Sequence, residues 1–178
     1  MELHSLRAPP LAPLALHWQW SRLEELSPTE LYAALAARQQ VFAVEQNCAF
    51  QDADGHDPYA WHLCAWTQDS KACADTNTPA RSGPALLAGY LRLLDPGRKY
   101  AEPSIGRVLT VAPYRRIGLG RLLMIEGLAR TRLTWPGQSI RIGAQHRLEA
   151  FYASLGFRTV SAPYIEDGIP HVEMVADP

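Results

Sequence analysis

Arg115-Arg116-Ile117-Gly118-Leu119-Gly120 stands between an apolar run with strand character, Ile105 to Val111, and a segment with helical periodicity, Leu119 to Leu133. Its reading decides the fold. Two glycines at this spacing let the backbone turn without Cβ clashes and approach a ligand closely. The helix that follows offers its first unpaired N–H groups and the positive end of its dipole. Arg115, Arg116 and Arg121 add positive charge, so the junction suits a pyrophosphate; taken alone, the motif also reads as a plain strand-to-helix turn with a basic rim. No Lys-Ser or Lys-Thr follows Gly120, which sets aside a nucleoside triphosphatase loop.

Downstream, Ser139 to Ala144 reads as a strand, His146 to Leu155 as a helix, and Phe157 to Ala162 and His171 to Val175 as strands. Gly156 is placed as a left-handed helix stop and Asp167-Gly168 as a hairpin turn. Leu122, Ile125, Ala129 and Leu133 recur at i, i+3, i+7 and i+11, which predicts that this face of the first helix packs on a sheet. Leu148, Phe151, Tyr152 and Leu155 repeat the pattern. Upstream, Leu14 to Trp20 is a first strand, and Ser27-Pro28-Thr29-Glu30 marks a helix start by its capping residue, its proline and its closing glutamate. Leu31, Leu35 and Phe42 mark a buried face, with Val41 and Val44 on a second short helix. Ala60 to Thr67, Ala85 to Leu94 and Ser104 to Ala112 read as strands. Residues 1–13 are expected to form a loose arm and 68–84 a flexible loop. This order of strands and helices argues for one mixed α/β domain over 1–178, with helices on both faces of a central sheet.

The 178 residues are 47% hydrophobic and 20% charged, with 17 basic and 18 acidic residues and a net charge of −1. No global field favours nucleic acid or an anionic membrane. Cys48, Cys64 and Cys73 are odd in number and form no C-x-x-C pair, which argues against a disulfide framework or zinc site and for a reducing cytoplasm. No stretch reaches the roughly eighteen apolar residues of a membrane span. The run Asp52, Asp54, His56, Asp57 lacks the glycine and closing glutamate of a calcium loop, so a solvated loop capping the next strand is expected and no metal.

Val111-x-Pro113-x-Arg115-x-x-Gly118-x-Gly120, followed about thirty residues on by Phe151-Tyr152-x-x-x-Gly156-Phe157, resembles the GCN5-related N-acetyltransferases (GNAT). Val41-Phe42-x-Val44-Glu45-Gln46, Asp52-x-Asp54, His62-Leu63 and Glu166-Asp167-Gly168-Ile169-Pro170-His171 look like the ElaA-type branch. The resemblance implies a mixed, mostly antiparallel sheet of about six to seven strands. It also implies an acetyl-CoA-dependent N-acetyltransferase whose acceptor is a primary amine on a small molecule or peptide, attacking directly in a ternary complex. The chain would act as a monomer or homodimer. Two other classes stay open: a non-catalytic CoA-binding or regulatory module, and an acyltransferase like the acyl-homoserine-lactone synthases, which normally lack so clear an Arg-x-x-Gly-x-Gly loop.

Acetyl transfer needs a seat for the CoA phosphates, a donor for the carbonyl oxygen as it gains charge, a deprotonated amine and a proton for the leaving thiolate. By the resemblance, the loop Arg115, Arg116, Ile117, Gly118, Leu119, Gly120 and Arg121 holds the pyrophosphate through its backbone, in particular the N–H groups of Arg116, Gly118, Gly120 and Arg121. The main chain of Leu109, Thr110 and Val111, splayed from the next strand, pairs with pantetheine, and the amide at or near Val111 faces the thioester oxygen. Gln145 stands where many members carry an asparagine that contacts the cofactor arm. Tyr152 occupies the position from which a phenol reaches the CoA sulfur, although its place on an apolar helix face also suits a core residue. Glu45, Asp54, His62, Glu166 and His171 are candidates for the base; His62, within Ala60-Trp61-His62-Leu63-Cys64, reads more readily as a satisfied core histidine, and His171, after Pro170 at a strand start, reads equally as a strand-edge residue. Arg38 and Arg107 are candidates for substrate binding. Arg107 lies in an apolar run, and a desolvated guanidinium there needs an anion, either Glu45 or a substrate carboxylate.

Overall fold

The computed structural model describes residues 15–67 and 85–178. The expected arm at 1–13, the loop at 68–84 and Cys73 lie outside the described residues. The strands are β1 (Leu16–Arg22), β2 (Ala60–Thr67), β3 (Leu86–Leu94), β4 (Ser104–Thr110), β5 (Ile140–Gln145), β6 (Phe157–Thr159), β7 (Tyr164–Glu166) and β8 (Ile169–Ala176). The α-helices are α1 (Pro28–Arg38), α2 (Leu119–Thr134) and α3 (Glu149–Ala153). The eight strands form a single sheet in the order β1-β2-β3-β4-β5-β8-β6, with β7 paired to β8. All neighbours are antiparallel except β4 and β5.

Period-two alternation divides the sheet between two layers. Leu63 and Ala65 of β2 join Leu91 and Leu93 of β3 under α2, whose Leu119, Leu123, Met124 and Leu128 close the larger core. Cys64 and Trp66, with Tyr90 and Leu87, face the other way and pack on Ala34 of α1 and on Phe42. Each fully buried leucine of the first set is worth about 1.5–3 kcal/mol.

Local signals explain the element ends. Ser27 Oγ accepts the Glu30 N–H, the Glu30 carboxylate accepts the Ser27 N–H at 2.8 Å, and Pro28 fills the first helical position. Gly156, with φ of 93°, stops the chain after α3, and its N–H bonds to the Ala153 carbonyl. Asp167 and Gly168, both left-handed, turn β7 into β8.

Several expectations are corrected. Leu122, Ile125 and Leu133 are 51%, 48% and 80% exposed, and the buried face of α2 is Leu119, Leu123, Met124, Gly127, Leu128 and Thr131. Two overlapping stripes with helical spacing run along this helix, and the sheet selects the one where Gly127 allows close approach: a Cβ there would lie 2.6 Å from Leu91 Cδ2. Val41 and Val44 fall in a π-helical continuation of α1, Gln39–Glu45, and Val44 is exposed. Leu31 and Leu35 are half-buried, whereas Ala34 and Arg38 are the buried residues of α1. The expected helix from His146 divides into a 3-10 turn, His146–Leu148, and the short α3. The strand from Phe157 ends at Thr159, and β7 is an additional strand, giving eight among the described residues where about six to seven were expected.

Candidate active site

The parallel pair β4/β5 makes the site. It is joined at Ser104↔Arg141 and by the Arg141 N–H to the Pro103 carbonyl at 3.0 Å; past that point the two strands part. The cause is a bulge. Between Tyr90↔Leu109 and Arg92↔Gly106 the register of β4 against β3 slips by one residue, and Arg107, with φ of 52°, absorbs the extra length and bends the strand. A cavity of about 640 Å³ occupies the opening, walled by β4, β5, the π-helical stretch and the β7/β8 hairpin.

After Arg115, which lines the cavity, Arg116 (φ 63°) and Gly118 (φ 85°) curl the loop, and Gly118 caps α2. A left-handed residue at 118 favours glycine, since a Cβ carries a steric cost in that conformation. Among the described residues, the N–H groups of Arg116, Gly118, Leu119 and Gly120 have no internal partner, while Arg121 and Leu122 donate to the Gly118 carbonyl. The Arg121 amide is therefore spent within the turn, contrary to expectation. Its guanidinium ties α2 to the Ser154 hydroxyl and carbonyl beyond α3.

Along β4, the Val111 N–H donates to the Ala88 carbonyl at 2.9 Å, so it faces β3 and not the opening. Alternation turns the Thr110 N–H to the splayed side. The Thr110 carbonyl accepts Arg115 Nε, and Arg115 pairs with Glu45 at 2.7 Å. Glu45 is thus the partner of Arg115, not of Arg107. Gln145 donates to Gln46 Oε1 at 2.9 Å and accepts Arg147 Nε at 3.0 Å, which engages both ends of its amide.

Tyr152 is buried, edge-on to Phe151 and Phe157, and lines the cavity. Its hydroxyl has no hydrogen-bond partner among the described residues and is not fully enclosed, and the residue forms part of the cavity wall. Burial pushes the phenol up to about 12, and it stays protonated at neutral pH. His171 lines the same cavity, and its Nδ1 donates to the Ile169 carbonyl at 2.8 Å. A carbonyl only accepts, so in the neutral ring Nε2 keeps its lone pair.

The remaining predicted residues lie elsewhere. His62 is 1% exposed, bonded through Nδ1 to the Tyr90 hydroxyl and through Nε2 to the Asp57 carbonyl, and it is no part of the cavity wall. Burial lowers its pKa. It is a satisfied core histidine. Arg38, also 1% exposed, binds Asp52 and Asp57 at 2.7 and 2.8 Å and does not reach the cavity. Arg107 lines the cavity but bonds Asp52 at 2.7 Å and Asp54 at 3.2 Å. Arg92, which sequence reasoning passed over, holds Asp54 and Asp57 at 2.7 and 2.8 Å. Three arginines thus meet three aspartates, and the segment read as a solvated loop is a strap ion-paired to α1, β3 and β4. Charge on Arg107 is balanced internally, which removes the need for a substrate carboxylate there. Its strand context hid Arg92, and only a charged residue in an apolar run marked it.

A parallel pair that parts beyond its first residues, with a glycine turn leading into α2, is the architecture that the sequence resemblance implies. The chain belongs to the GNAT acetyltransferase family, whose acetyltransferase domain model matches residues 80–177. It is 35% identical to Escherichia coli ElaA over 164 residues, 91% of this chain and 97% of that one. The crystal structure of E. coli ElaA superposes with a TM-score of 0.78 at 34% identity, covering 92% of this chain and 100% of that one. An acyl-CoA N-acyltransferase from Pseudomonas aeruginosa is similar to the same degree, with a TM-score of 0.78 and 36% identity over 91% of this chain and 99% of that one. A Bacillus subtilis acetyltransferase solved in complex with CoA shares the fold at 16% identity and a TM-score of 0.58, over 92% of this chain and 99% of that one. Among the described residues no helix is long and apolar enough to cross a membrane.

Proposed function

We propose that the chain transfers the acetyl group of acetyl-CoA to a primary amine of a small molecule or peptide by direct attack in a ternary complex. The observation that carries this reading is the phenol of Tyr152, a buried ring in the wall of the cavity beside the parted β4 and β5, whose hydroxyl has no hydrogen-bond partner among the described residues. Acetyl-CoA supplies the activated thioester. Its pyrophosphate rests on the N–H groups of Arg116, Gly118, Leu119 and Gly120 at the start of α2, with Arg116 adding charge, and its pantetheine arm lies along Leu109 and Thr110. The Thr110 N–H takes the place first expected of Val111 and faces the carbonyl oxygen as charge develops. His171 Nε2 removes the amine proton. Tyr152 gives its proton to the departing thiolate. Glu45, held by Arg115, is a positioning residue that anchors the π-helical stretch at the cavity mouth. Free buried thiols at Cys48 and Cys64 fit a reducing compartment, and we place the protein in the cytoplasm.

Isothermal titration with acetyl-CoA and CoA, followed by an amine panel assayed for thiol release, tests this. Binding with turnover on at least one amine is expected. Absence of binding overturns the reading, and binding without turnover across the panel favours the CoA-binding module.

A further inference from the structure

Lys99 brings a primary amine of the chain itself into the cavity. It lies in the turn between β3 and β4, closed by the Gly97 N–H on the Tyr100 carbonyl at 2.7 Å. Its side chain shares the cavity wall with Gly143, Glu166 and His171. Gly143 makes the room: a Cβ there would lie 3.2 Å from the Tyr164 hydroxyl, 3.4 Å from the Tyr100 hydroxyl and 3.8 Å from Lys99 Nζ.

The amine is loosely held. Its carboxylate partner, Glu166, is 3.5 Å away and both side chains are 41% exposed, in contrast to the 2.7 Å contacts that fix Arg38 and Arg92. Its other contact is the face of the Tyr100 ring at 5.4 Å. An exposed pair of this length restrains little, and the four-carbon stem lets the nitrogen swing.

Resting on the acetyltransferase reading, we propose that Lys99 is an internal acceptor: with acetyl-CoA bound, the chain acetylates its own Lys99. The ammonium gives one proton to His171 Nε2, directly or through water, and the freed lone pair attacks the thioester carbon to form the C–N bond. The C–S bond breaks, Tyr152 protonates the departing sulfur, and the phenolate left behind takes the second proton from the nitrogen. The products are acetyl-Lys99 and CoA thiol, with one proton passed from His171 to solvent. Acetylation removes the charge that faces Glu166 and sets a neutral amide in the acceptor end of the cavity, so it also limits access of other amines.

The full chain holds two lysines, Lys71 and Lys99, which makes the assignment simple. The purified protein is incubated with acetyl-CoA and followed by intact mass and peptide mapping. One acetyl group on Lys99 is expected, at a rate independent of protein concentration, none at position 99 in Lys99→Arg, and about tenfold or more slower in a Tyr152→Phe variant shown by calorimetry to bind acetyl-CoA. An unmodified Lys99 in protein that binds acetyl-CoA and turns over amines overturns the proposal and leaves the function standing. Equal rates in wild type and Tyr152→Phe, or a rate that climbs with protein concentration, overturn it too. Failure to bind acetyl-CoA removes both readings at once.

Discussion

Tyr152 joins two properties that usually exclude each other, a buried ring and an oxygen without a hydrogen-bond partner among the described residues. Burial holds the proton on the phenol, and in the proposed reaction that proton goes to the departing thiolate. Replacing it with phenylalanine keeps the packing against Phe151 and Phe157 and removes the donor, so turnover is expected to fall about 100-fold or more with acetyl-CoA affinity little changed. Steady-state rates beside calorimetry check this, and unchanged turnover removes Tyr152 from the chemistry. Because burial pushes the phenol up to about 12, the wild-type rate should show no alkaline loss from this group until pH nears that value.

At the scale of elements, α2 shows how a face is chosen. Its exposed stripe and its buried stripe both have helical spacing, and only the second meets β3. Leu123→Ala is expected to cost about 2–5 kcal/mol by opening a cavity under the helix. Leu122→Ala should stay within about 0.5 kcal/mol. Urea unfolding of the two variants compares them, and the reverse ranking would restore the face read from the sequence. The strap at residues 52–57 is a second case. Arg38→Ala leaves the carboxylates of Asp52 and Asp57 short of a buried partner and should cost about 3–5 kcal/mol in the same measurement.

For the whole molecule, charge buried on folding sets the response to acid. Burial by itself raises the carboxyls of Asp54 and Asp57. Hydrogen bonds and charge from Arg92 at Asp54, and from Arg38 and Arg92 at Asp57, outweigh it and hold both below the ordinary range. A carboxyl depressed on folding stabilises above its unfolded value, about 3.9, and that stability is lost as pH falls through the folded value. His62 acts in the same direction from higher pH. Burial depresses it, so its neutral form is favoured in the fold and stability falls as pH drops below about 6.5. Stability measured between pH 8 and 3 should therefore decline in two stages, the first beginning near 6.5 and absent in His62→Gln, the second beginning near 4. A flat profile down to pH 4 in the wild type contradicts the first stage.

The sequence by itself determined the strand, glycine turn and helix from Ser104 to Leu133, the capped start of α1 and the Asp167-Gly168 turn. Each rests on a short-range rule of backbone geometry or on a motif of fixed spacing. Tertiary structure alone decided which stripe of α2 is covered, that Val111 spends its amide on Ala88, and that Arg92, Arg38 and Arg107 share three aspartates. It alone put Lys99 beside Gly143. These outcomes depend on partners tens of residues apart, such as Arg107 and Asp52 across 55 positions. Periodicity says that a face exists and charge says that a partner is needed, but the identity of either is fixed only when the sheet brings distant segments together.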